Sequence, residues 1–350
     1  MKNIIKTARE KKGLMVREVA QQLGIDQALV SKFESGTRKP TREQVIKLAA
    51  ILDLKADELL VAWLKERILY ELGDDALALK ALMAAEEELT YRKAKLAKQR
   101  VSGDLKTILT DIDKLKKDLN KFRHMDSYRV AQALELEYTF ESNRIEGNTL
   151  TLKETDLVIN EGLTIAGKSM REHLEAINHK DAVAYMKHLA GKKSVFNERE
   201  LLTLHNLVLR GIDPANAGKY RMVQVMIKGS THTPPAPYLI AKQMEDFFIW
   251  YEQNKQRLHP VVLAAEMHLR VVTIHPFIDG NGRTSRLAMN LALLKHGYVI
   301  ANIKGDSKSR MAYYAALEEA QAGNENSTFV QLIAETERIA LERYLKVLKG

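Results

Sequence analysis

Apolar residues recur at helical spacing along the chain, interrupted by glycines and by residues that cap helices. Within residues 1–60 this pattern predicts five short helices. One of them ends at Gly24, and the next begins after Asp26, whose side chain can cap a helix start. The residues expected to face inward are Val19, Ala20, Leu23, Leu29, Val30 and Phe33. Two short helices around a glycine turn are typical of a helix-turn-helix.

Residues 61–125 continue in a helical pattern with a seven-residue period. The repeating positions are Leu82, Leu89 and Leu96 and then, after a break at 102–104, Leu105, Ile108, Ile112, Leu115, Leu119 and Phe122. A heptad pattern of this kind predicts either two antiparallel helices or a coiled coil that makes the chain a homodimer. The pattern alone leaves both open.

Aromatic residues and glycines enter the sequence after this spacer. Most segments remain helical, but residues 222–227 are rich in β-branched and apolar residues between Gly218 and Gly229, which predicts a strand. The helical pattern then returns and ends at His275. The predicted domains are a helix-turn-helix (1–62), a helical spacer (63–125) and a third domain (126–350).

The charge distribution separates the N-terminal half from the rest of the chain. Apolar residues make up 45% of the sequence, enough for real cores, and the net charge is +9. Residues 1–60 hold twelve Lys or Arg against eight Asp or Glu, and residues 91–124 hold eleven against four. This excess favours a nucleic-acid partner for that half. Because there is no cysteine, no long apolar run and no signal-peptide pattern, we expect no disulfide, no membrane and a cytoplasmic location.

The glycines of segment 275–286 predict an anion site. Gly280 and Gly282 flank Asn281 just before a predicted helix. Glycine permits left-handed dihedrals, so successive main-chain N–H groups can converge on one point. The helix dipole adds positive charge there, which suits a phosphate.

Four side chains of the same segment add reactive chemistry. Arg283 and Arg286 are three residues apart and can fork onto further phosphate oxygens. Asp279 is a hard ligand suited to Mg²⁺, and His275 is a base that works near neutral pH. Together they suit the transfer of a group from a nucleotide.

Segment 275–286 resembles the signature of the Fic (filamentation induced by cAMP) family, H-x-F-x-D/E-G-N-G-R-x-x-R, and matches every fixed position. The resemblance covers about residues 130–350. It implies an all-α core with one β-hairpin flap, and transfer of AMP from ATP, with Mg²⁺, to a Ser, Thr or Tyr hydroxyl of a protein. The implied roles are His275 as base, Asp279 as metal ligand, Gly280, Asn281, Gly282, Arg283 and Arg286 as phosphate contacts, and Tyr314 near the adenosine.

Two further segments resemble parts of the same family. Residues 142–148 resemble its inhibitory motif, S/T-x-x-x-E-G/N, here placed before the core. The resemblance implies that Ser142 and Glu146 lie on a helix that offers Glu146 to Arg286 in place of the γ-phosphate. Segment 222–227 resembles the flap, whose edge is implied to dock the target by strand addition. The flap residues are Gln224, Val225, Met226 and Ile227.

Residues 3–60 resemble the Xre family, which is similar to lambda repressor. The resemblance implies a recognition helix that begins at Gln27 and contacts DNA. The residues implied to face the major groove are Gln27, Ala28, Ser31 and Lys32. Gln27 could bind an adenine, Lys32 a guanine or a phosphate, and Arg38 and Lys39 phosphates. Met15 and Val16 stand where the family usually has a polar pair, so a helix-turn-helix reused for protein contact stays open.

These observations predict an AMP transferase that acts on proteins, is inhibited by Glu146 and is linked to a DNA-binding domain. One alternative is removal of AMP from a modified protein by the same site. Another is a transcription regulator whose third domain regulates or modifies the chain itself. Relatives that phosphorylate carry a lysine near Gly282, so the glycine argues against phosphorylation.

Overall fold

A computed structural model describes residues 1–73, 75, 77–82, 85, 103–125, 128–191, 196–323 and 326–349. The chain divides into two compact units, Met1–Thr90 and Tyr91–Gly350. Both units are built from helices and connecting loops, as the all-α prediction requires. No helix in the described ranges is long and apolar enough to cross a membrane.

The smaller unit contains the five helices that the pattern predicts. They are α1 (Lys2–Lys11), α2 (Val16–Leu23), α3 (Gln27–Ser35), α4 (Arg42–Leu52) and α5 (Ala56–Leu72). Gly24 ends α2 in the left-handed conformation, and Asp26 caps α3 by accepting from the Ala28 N–H at 2.6 Å. Val19, Val30 and Phe33 are buried between the helices, so the helix-turn-helix encloses its own core.

The larger unit is organised around two helices that are buried on nearly every side. Its helices are α6 (Gly103–Phe122), α7 (Tyr128–Ile145), α8 (Leu152–Asn160), α9 (Met170–Gly191), α10 (Glu198–Leu209), α11 (Ile240–Asn254), α12 (Pro260–Ile274), α13 (Asn281–Lys295), α14 (Ser307–Gln321) and α15 (Ser327–Lys349). Helices α12 and α13 pack on each other, with α9 and α15 against them. Helix α12 is largely apolar, as a core helix is, whereas α13 buries polar residues too, Arg283 and Arg286 among them. The short loop between α12 and α13 therefore joins two helices of the core.

Helix α6 carries the second part of the predicted heptad pattern. It packs along α15 within the larger unit. Leu105, Ile112 and Leu119 are buried there, and Ile108, Leu115 and Phe122 pack against the same core. The apolar face of α6 is therefore buried within the larger unit of this chain. Leu89 and Leu96 lie outside the described residues.

The prediction of a β-hairpin at 222–227 is wrong. Residues 222–235 form an irregular loop, and no strand occurs among the residues described. The returning arm contains Pro234, Pro235 and Pro237, which have no N–H to donate to a strand ladder. A side chain bridges the arms instead, because Gln224 Nε2 donates to the Pro234 carbonyl at 2.8 Å.

Candidate active site

His275 ends α12 in an unusual backbone conformation. Its φ of 51° and ψ of 57° lie in the left-handed region. Non-glycine residues adopt this region rarely and at a cost in free energy, so surrounding contacts must hold it. The N–H of His275 donates to the Val271 carbonyl at 3.0 Å, which closes the last turn of the helix.

The imidazole of His275 is set up as a neutral base. Burial lowers its pKa to about 4, and the charges of Arg221 and His232 act in the same direction, against Glu146 and the Val272 carbonyl. The ring is therefore uncharged at neutral pH. Nδ1 lies 3.3 Å from the Val272 carbonyl oxygen, so we assign the ring proton to Nδ1. Nε2 then keeps a free lone pair and can accept a proton.

The loop after His275 is fixed by internal contacts. Phe277 is fully buried and stacks on the His205 ring, with centroids 3.6 Å apart and planes 7° apart. The Asn281 amide closes the loop, since Oδ1 accepts from the Phe277 N–H and Nδ2 donates to its carbonyl, each at 2.9 Å. The side chain of Asn281 therefore shapes the loop here. The phosphate contact predicted for it stays a prediction.

Helix α13 begins one residue after Gly280, earlier than the sequence pattern suggests. Gly280 is the N-cap with a φ of 77°, and Asn281 and Gly282 are already helical. The main-chain N–H groups of a first helical turn have no carbonyl within the helix to bind. They and the helix dipole make this turn a place where an anion is stabilised.

Arg283 and Arg286 are almost completely buried at that helix start. Their exposures are 2% and 1%. Arg283 Nη2 donates to Asp279 Oδ1 at 3.2 Å, and its Nη1 lies 3.4 Å from Glu175 Oε1. Across the described ranges, Nε and Nη1 of Arg283 and Nη1 of Arg286 are buried without a hydrogen-bond partner. Buried N–H groups of this kind are costly and call for an acceptor.

The end of α7 holds Arg286 from the other side. Nε donates to Ser142 Oγ at 3.0 Å, and Nη2 donates to the Ser142 carbonyl at 2.9 Å and to Glu146 Oε1 at 2.7 Å. Burial opposes the charge of Arg286, but the Glu146 carboxylate outweighs it and raises the guanidinium pKa. The predicted Glu146–Arg286 pair is therefore present in the structure.

Gly282 is the residue that leaves room for this carboxylate. A Cβ at position 282 would lie 2.2 Å from Glu146 Oε1 and 3.1 Å from Arg286 Nη1. No pair of atoms tolerates the first distance, so any side chain at 282 requires Glu146 to move. The glycine at position 282 therefore leaves open the space that the Glu146 carboxylate occupies.

Asp279 is a partly exposed carboxylate ringed by donors. Oδ1 accepts from Arg283 and from the Gly280 N–H, and Oδ2 accepts from Arg171 on α9. Burial opposes ionisation, but Arg283, the Gly280 N–H and Arg171 together lower the pKa of Asp279. No cluster of three or more His, Asp or Glu that could hold a metal occurs in the described ranges. A Mg²⁺ ion here would take one carboxylate and complete its shell with phosphate and water oxygens, a donor set that Mg²⁺ accepts.

Helix α9 and helix α10 supply residues that the sequence did not point to. Glu175 on α9 is buried, receives hydrogen bonds from Arg171 at 3.2 Å and Asn148 at 2.9 Å, and faces Arg283. His205 on α10 accepts from the Gly218 N–H through Nδ1 and donates through Nε2 to the Asp279 carbonyl, both at 2.9 Å. No motif surrounds either residue, so only the fold brings them to the site.

Tyr314 lies on α14 at the edge of the site. Its hydroxyl donates to the Ile145 carbonyl at 3.0 Å, next to Glu146. The preceding residue, Tyr313, is buried and bonds to His268 at 3.0 Å. Gln321 Nε2 lies 3.4 Å from Thr273 Oγ1. Tyr314 thus contacts the end of α7, and its predicted place near adenosine stays a prediction.

The predicted flap residues lie in the 222–235 loop, whose side chains are largely outward. Met222 and Met226 are 84% and 92% exposed. Gln224 is exposed, whereas Val225 and Ile227 are half-buried. The loop therefore presents flexible apolar side chains next to the His275 segment, to which its base is bonded through Arg221.

In the smaller unit, the predicted DNA-contacting residues lie on one exposed stretch. They are Gln27, Ala28, Ser31 and Lys32 on α3, followed by Arg38 and Lys39. Arg9 anchors this helix through Glu34, with bonds of 2.6 and 2.9 Å. Lys39 is already engaged, because it donates to the Glu66 carbonyl at 3.2 Å and lies 4.2 Å over the Tyr70 ring.

Comparison with known proteins bears on both units. A family model described as Fic/DOC family matches residues 195–293, and one described as helix-turn-helix matches residues 5–59. The chain carries a Fic/DOC domain. It also carries a helix-turn-helix domain, as the pattern of residues 1–60 predicts.

Curated relatives extend the similarity beyond the Fic/DOC domain. The chain is 38% identical over 210 residues to the protein adenylyltransferase Fic of Drosophila grimshawi, covering 60% of this chain and 42% of the relative. It is 36% identical over 211 residues to the protein of the same name in Nematostella vectensis, covering 60% and 48%. The chain thus spans about half the length of the curated relatives it matches.

A solved structure shows the same fold. A Fic domain containing signaling protein from Bacteroides thetaiotaomicron is 27% identical, with a TM-score of 0.61 over 69% of this chain and 97% of that one. The Fic/DOC match begins at residue 195, whereas Ser142, Glu146 and Glu175 precede it. The structure nevertheless brings all three onto the arginines of the Fic/DOC domain.

Proposed function

We propose that this chain transfers AMP from ATP to a protein hydroxyl and that Glu146 restrains the reaction. The observation that carries the proposal is the set of buried, unsatisfied N–H groups of Arg283 and Arg286 at the start of α13. A polyphosphate would satisfy several of them at once through charge-assisted hydrogen bonds. The relatives named protein adenylyltransferase Fic support AMP as the transferred group.

In the reaction, the target hydroxyl approaches Nε2 of His275. Nε2 takes the hydroxyl proton as the oxygen attacks the α-phosphorus, and the bond from that phosphorus to the β-phosphate oxygen breaks. Pyrophosphate leaves, and AMP remains on the target. The first turn of α13 stabilises charge on the phosphates, and Arg283 and Arg286 orient them.

Asp279 is the residue that would hold Mg²⁺. A Mg²⁺ ion held by Asp279 would supply positive charge to the phosphates of ATP. Arg171 would have to release Oδ2 first, which its exposure allows, since 56% of its side chain is accessible. Arg283 would stay on Oδ1 and keep the carboxylate oriented.

The 222–235 loop would dock the target. Met222 and Met226 offer flexible, polarisable side chains that adapt to different partners. A segment of the target protein would pack against these methionines. A Ser, Thr or Tyr of that segment would then reach His275, and segments of this same chain are candidates for self-modification.

Glu146 would inhibit by occupying Arg286. With Nη2 bonded to Glu146, the γ-phosphate cannot use that donor, and the phosphates bind displaced. The same carboxylate supports a second candidate activity, which is removal of AMP from a modified protein. Glu146 is 32% exposed and lies over the first turn of α13, where it could orient a water molecule for attack on the α-phosphorus.

The smaller unit would bind DNA through α3 and the loop that follows it. The exposed Lys32 and Arg38 suit phosphates, and Gln27 suits a base edge. A symmetric binding site is expected only if the chain forms a homodimer. A transcription regulator that uses its Fic/DOC domain on itself would have the same DNA contacts.

The decisive experiment labels ATP at two positions. The Glu146→Gly protein is incubated with Mg²⁺ and either α-labelled or γ-labelled ATP, with and without cell lysate. We expect protein labelling from the α-position only, and intact mass spectrometry should show the added mass of AMP. Labelling from the γ-position would show phosphoryl transfer and contradict the proposal.

A further inference from the structure

Arg221 is a buried cation whose bonding partners are all neutral. Its side chain is 1% exposed. Its three guanidinium hydrogen bonds end on main-chain carbonyls. Burial lowers the pKa of the guanidinium from its ordinary value, and no carboxylate offsets that effect. Keeping a desolvated charge without a counter-ion costs free energy, so the position of this arginine calls for a reason.

The bonds of Arg221 join three stretches of chain. Nε donates to the His275 carbonyl at 2.8 Å, Nη1 to the Val223 carbonyl at 2.9 Å and Nη2 to the Pro235 carbonyl at 2.6 Å. Its own main-chain N–H donates to the Pro276 carbonyl at 2.9 Å. Both arms of the 222–235 loop are thus bonded to the residue pair that carries the candidate base.

His275 depends on such contacts. Its left-handed backbone persists only if neighbouring groups hold it, and the Arg221 bond reaches its own carbonyl. The charged or titratable groups that act on the imidazole are Arg221, His232 and Glu146, and the first two favour its neutral form. Arg221 therefore acts on both the geometry and the charge state of the ring.

We propose that Arg221 is a positioning residue that holds His275 and the 222–235 loop as one rigid frame. A target segment docked on the loop then meets the imidazole at a fixed distance. The inference rests on the proposed AMP transfer and on docking at this loop. Misplacement of reacting groups by about 1 Å can cost ~10²-fold in rate, so a loosened frame should show mainly in kcat.

Two substitutions separate the bonds of Arg221 from its charge. Arg221→Lys keeps the positive charge, but an ammonium cannot form the planar fork that serves three carbonyls. Arg221→Gln removes the charge. Both are made in the Glu146→Gly protein, and Arg199→Gln, at an exposed arginine outside the site, is the matched control. Thermal melting establishes which variants are folded.

We expect both variants to lower kcat for AMP transfer about 10²-fold, while calorimetry with a non-hydrolysable ATP analogue shows unchanged affinity. The His275 ring resonance, followed by NMR against pH, should titrate near the parent value in Arg221→Lys and closer to the ordinary value in Arg221→Gln. Arg199→Gln should match the parent in all three measurements.

The inference is overturned if folded Arg221→Lys retains the parent's kcat, or if the ring titration of His275 is the same in Arg221→Gln and the parent. A lower melting temperature with normal kcat would likewise reduce Arg221 to a structural role. Failure of the proposed function is distinct, because then the Glu146→Gly parent itself transfers no AMP. The NMR titration would still report whether Arg221 acts on His275.

Discussion

The two units present positive charge in opposite ways. In the Fic/DOC domain, Arg283 and Arg286 are buried, and they face Glu175 on α9 and Glu146, which lies one residue beyond the end of α7. In the helix-turn-helix domain, Lys32 and Arg38 are exposed. A buried guanidinium is oriented before its ligand arrives and interacts strongly in a medium of low dielectric constant. An exposed cation is screened by salt and gains affinity mainly by releasing counterions from a polyanion.

The difference shows what each surface is suited to recognise. Fixed, desolvated arginines suit a small ligand whose phosphates must be placed accurately for reaction. Solvated cations on α3 and on the loop after it suit a long polymer that tolerates sliding. A buried guanidinium also needs hydrogen-bond acceptors, and Glu146 and Ser142 supply them for Arg286.

The largest effect is expected at the base. In the Glu146→Gly protein, His275→Ala should lower AMP transfer ~10²–10⁴-fold, because the hydroxyl loses its proton acceptor. Affinity for the nucleotide should persist, since the phosphate contacts come from α13. Transfer is measured with α-labelled ATP and affinity by calorimetry. A His275→Ala protein with the parent's rate would remove this residue from the mechanism.

The second-largest effect on AMP transfer is expected at Arg286. Arg286→Ala in the Glu146→Gly protein should lower transfer ~10²–10³-fold, as expected for a lost donor to developing charge. Arg338→Ala, at an arginine that pairs with Glu335 and Glu342 on α15, is the control and should keep the parent's rate. If Arg286→Ala transferred AMP as fast as its parent, Glu146 could not inhibit through this residue.

Much of this comparison could be predicted from the sequence. Helical periodicity located the five helices of the smaller unit, and the residue types of segment 275–286 indicated the phosphate site. Local rules succeed there because the residues involved are close together in the chain. The resemblance of residues 142–148 to the Fic inhibitory motif also implied the partner of Arg286, which is 140 residues from Glu146.

What the sequence did not reveal depends on tertiary contacts. The apolar residues of 222–227 indicated a strand, but a strand needs a partner with free N–H groups, and the proline-rich returning arm has few. The heptads of α6 did not indicate that α15 of the same chain covers them. Glu175, His205 and Arg221 lie far from the signature segment in sequence, and only the fold brings their side chains to it.

The affinities of the two charged surfaces for their ligands should depend differently on salt concentration. Binding of the chain to DNA that contains its site should weaken about 10²-fold between about 50 and 200 mM salt, if roughly four phosphates are contacted. Binding of Mg-ATP at the buried arginines should change much less. Both are measured on the same preparation, by fluorescence anisotropy and calorimetry. DNA affinity that does not vary with salt would favour a module for protein contact.

Single exposed cations should have smaller effects. Lys32→Ala and Arg38→Ala should each weaken DNA binding severalfold and reduce the salt slope by about one. Lys39→Ala should matter less, because its ammonium is engaged with Glu66 and Tyr70. If Lys39→Ala were the most damaging of the three, the assignment of phosphate contacts would be wrong.

Glu337 provides the smallest test, a buried carboxyl without a cation. It is fully buried, and Oε1 accepts from the Val299 N–H at 3.1 Å. Burial raises its pKa well above 4.5, so the folded chain keeps a proton that the unfolded chain releases. The free energy of unfolding therefore falls as pH rises from the ordinary glutamate pKa of 4.5 toward the raised pKa of the folded chain. Glu337→Gln should melt higher than the wild type at about pH 8, with the difference vanishing in acid; equal melting at both pH values would contradict this sign.

The central claim is that Glu146 and the γ-phosphate compete for Arg286. The most direct measurement is the rate of AMP transfer from α-labelled ATP by wild type and Glu146→Gly over a range of ATP concentrations. Because misplaced phosphates cost ~10²-fold, we expect Glu146→Gly to be faster by about that factor at saturating ATP. The Glu146→Gly/His275→Ala protein serves as the blank. Equal rates for wild type and Glu146→Gly at every ATP concentration would show that the end of α7 only supports the structure.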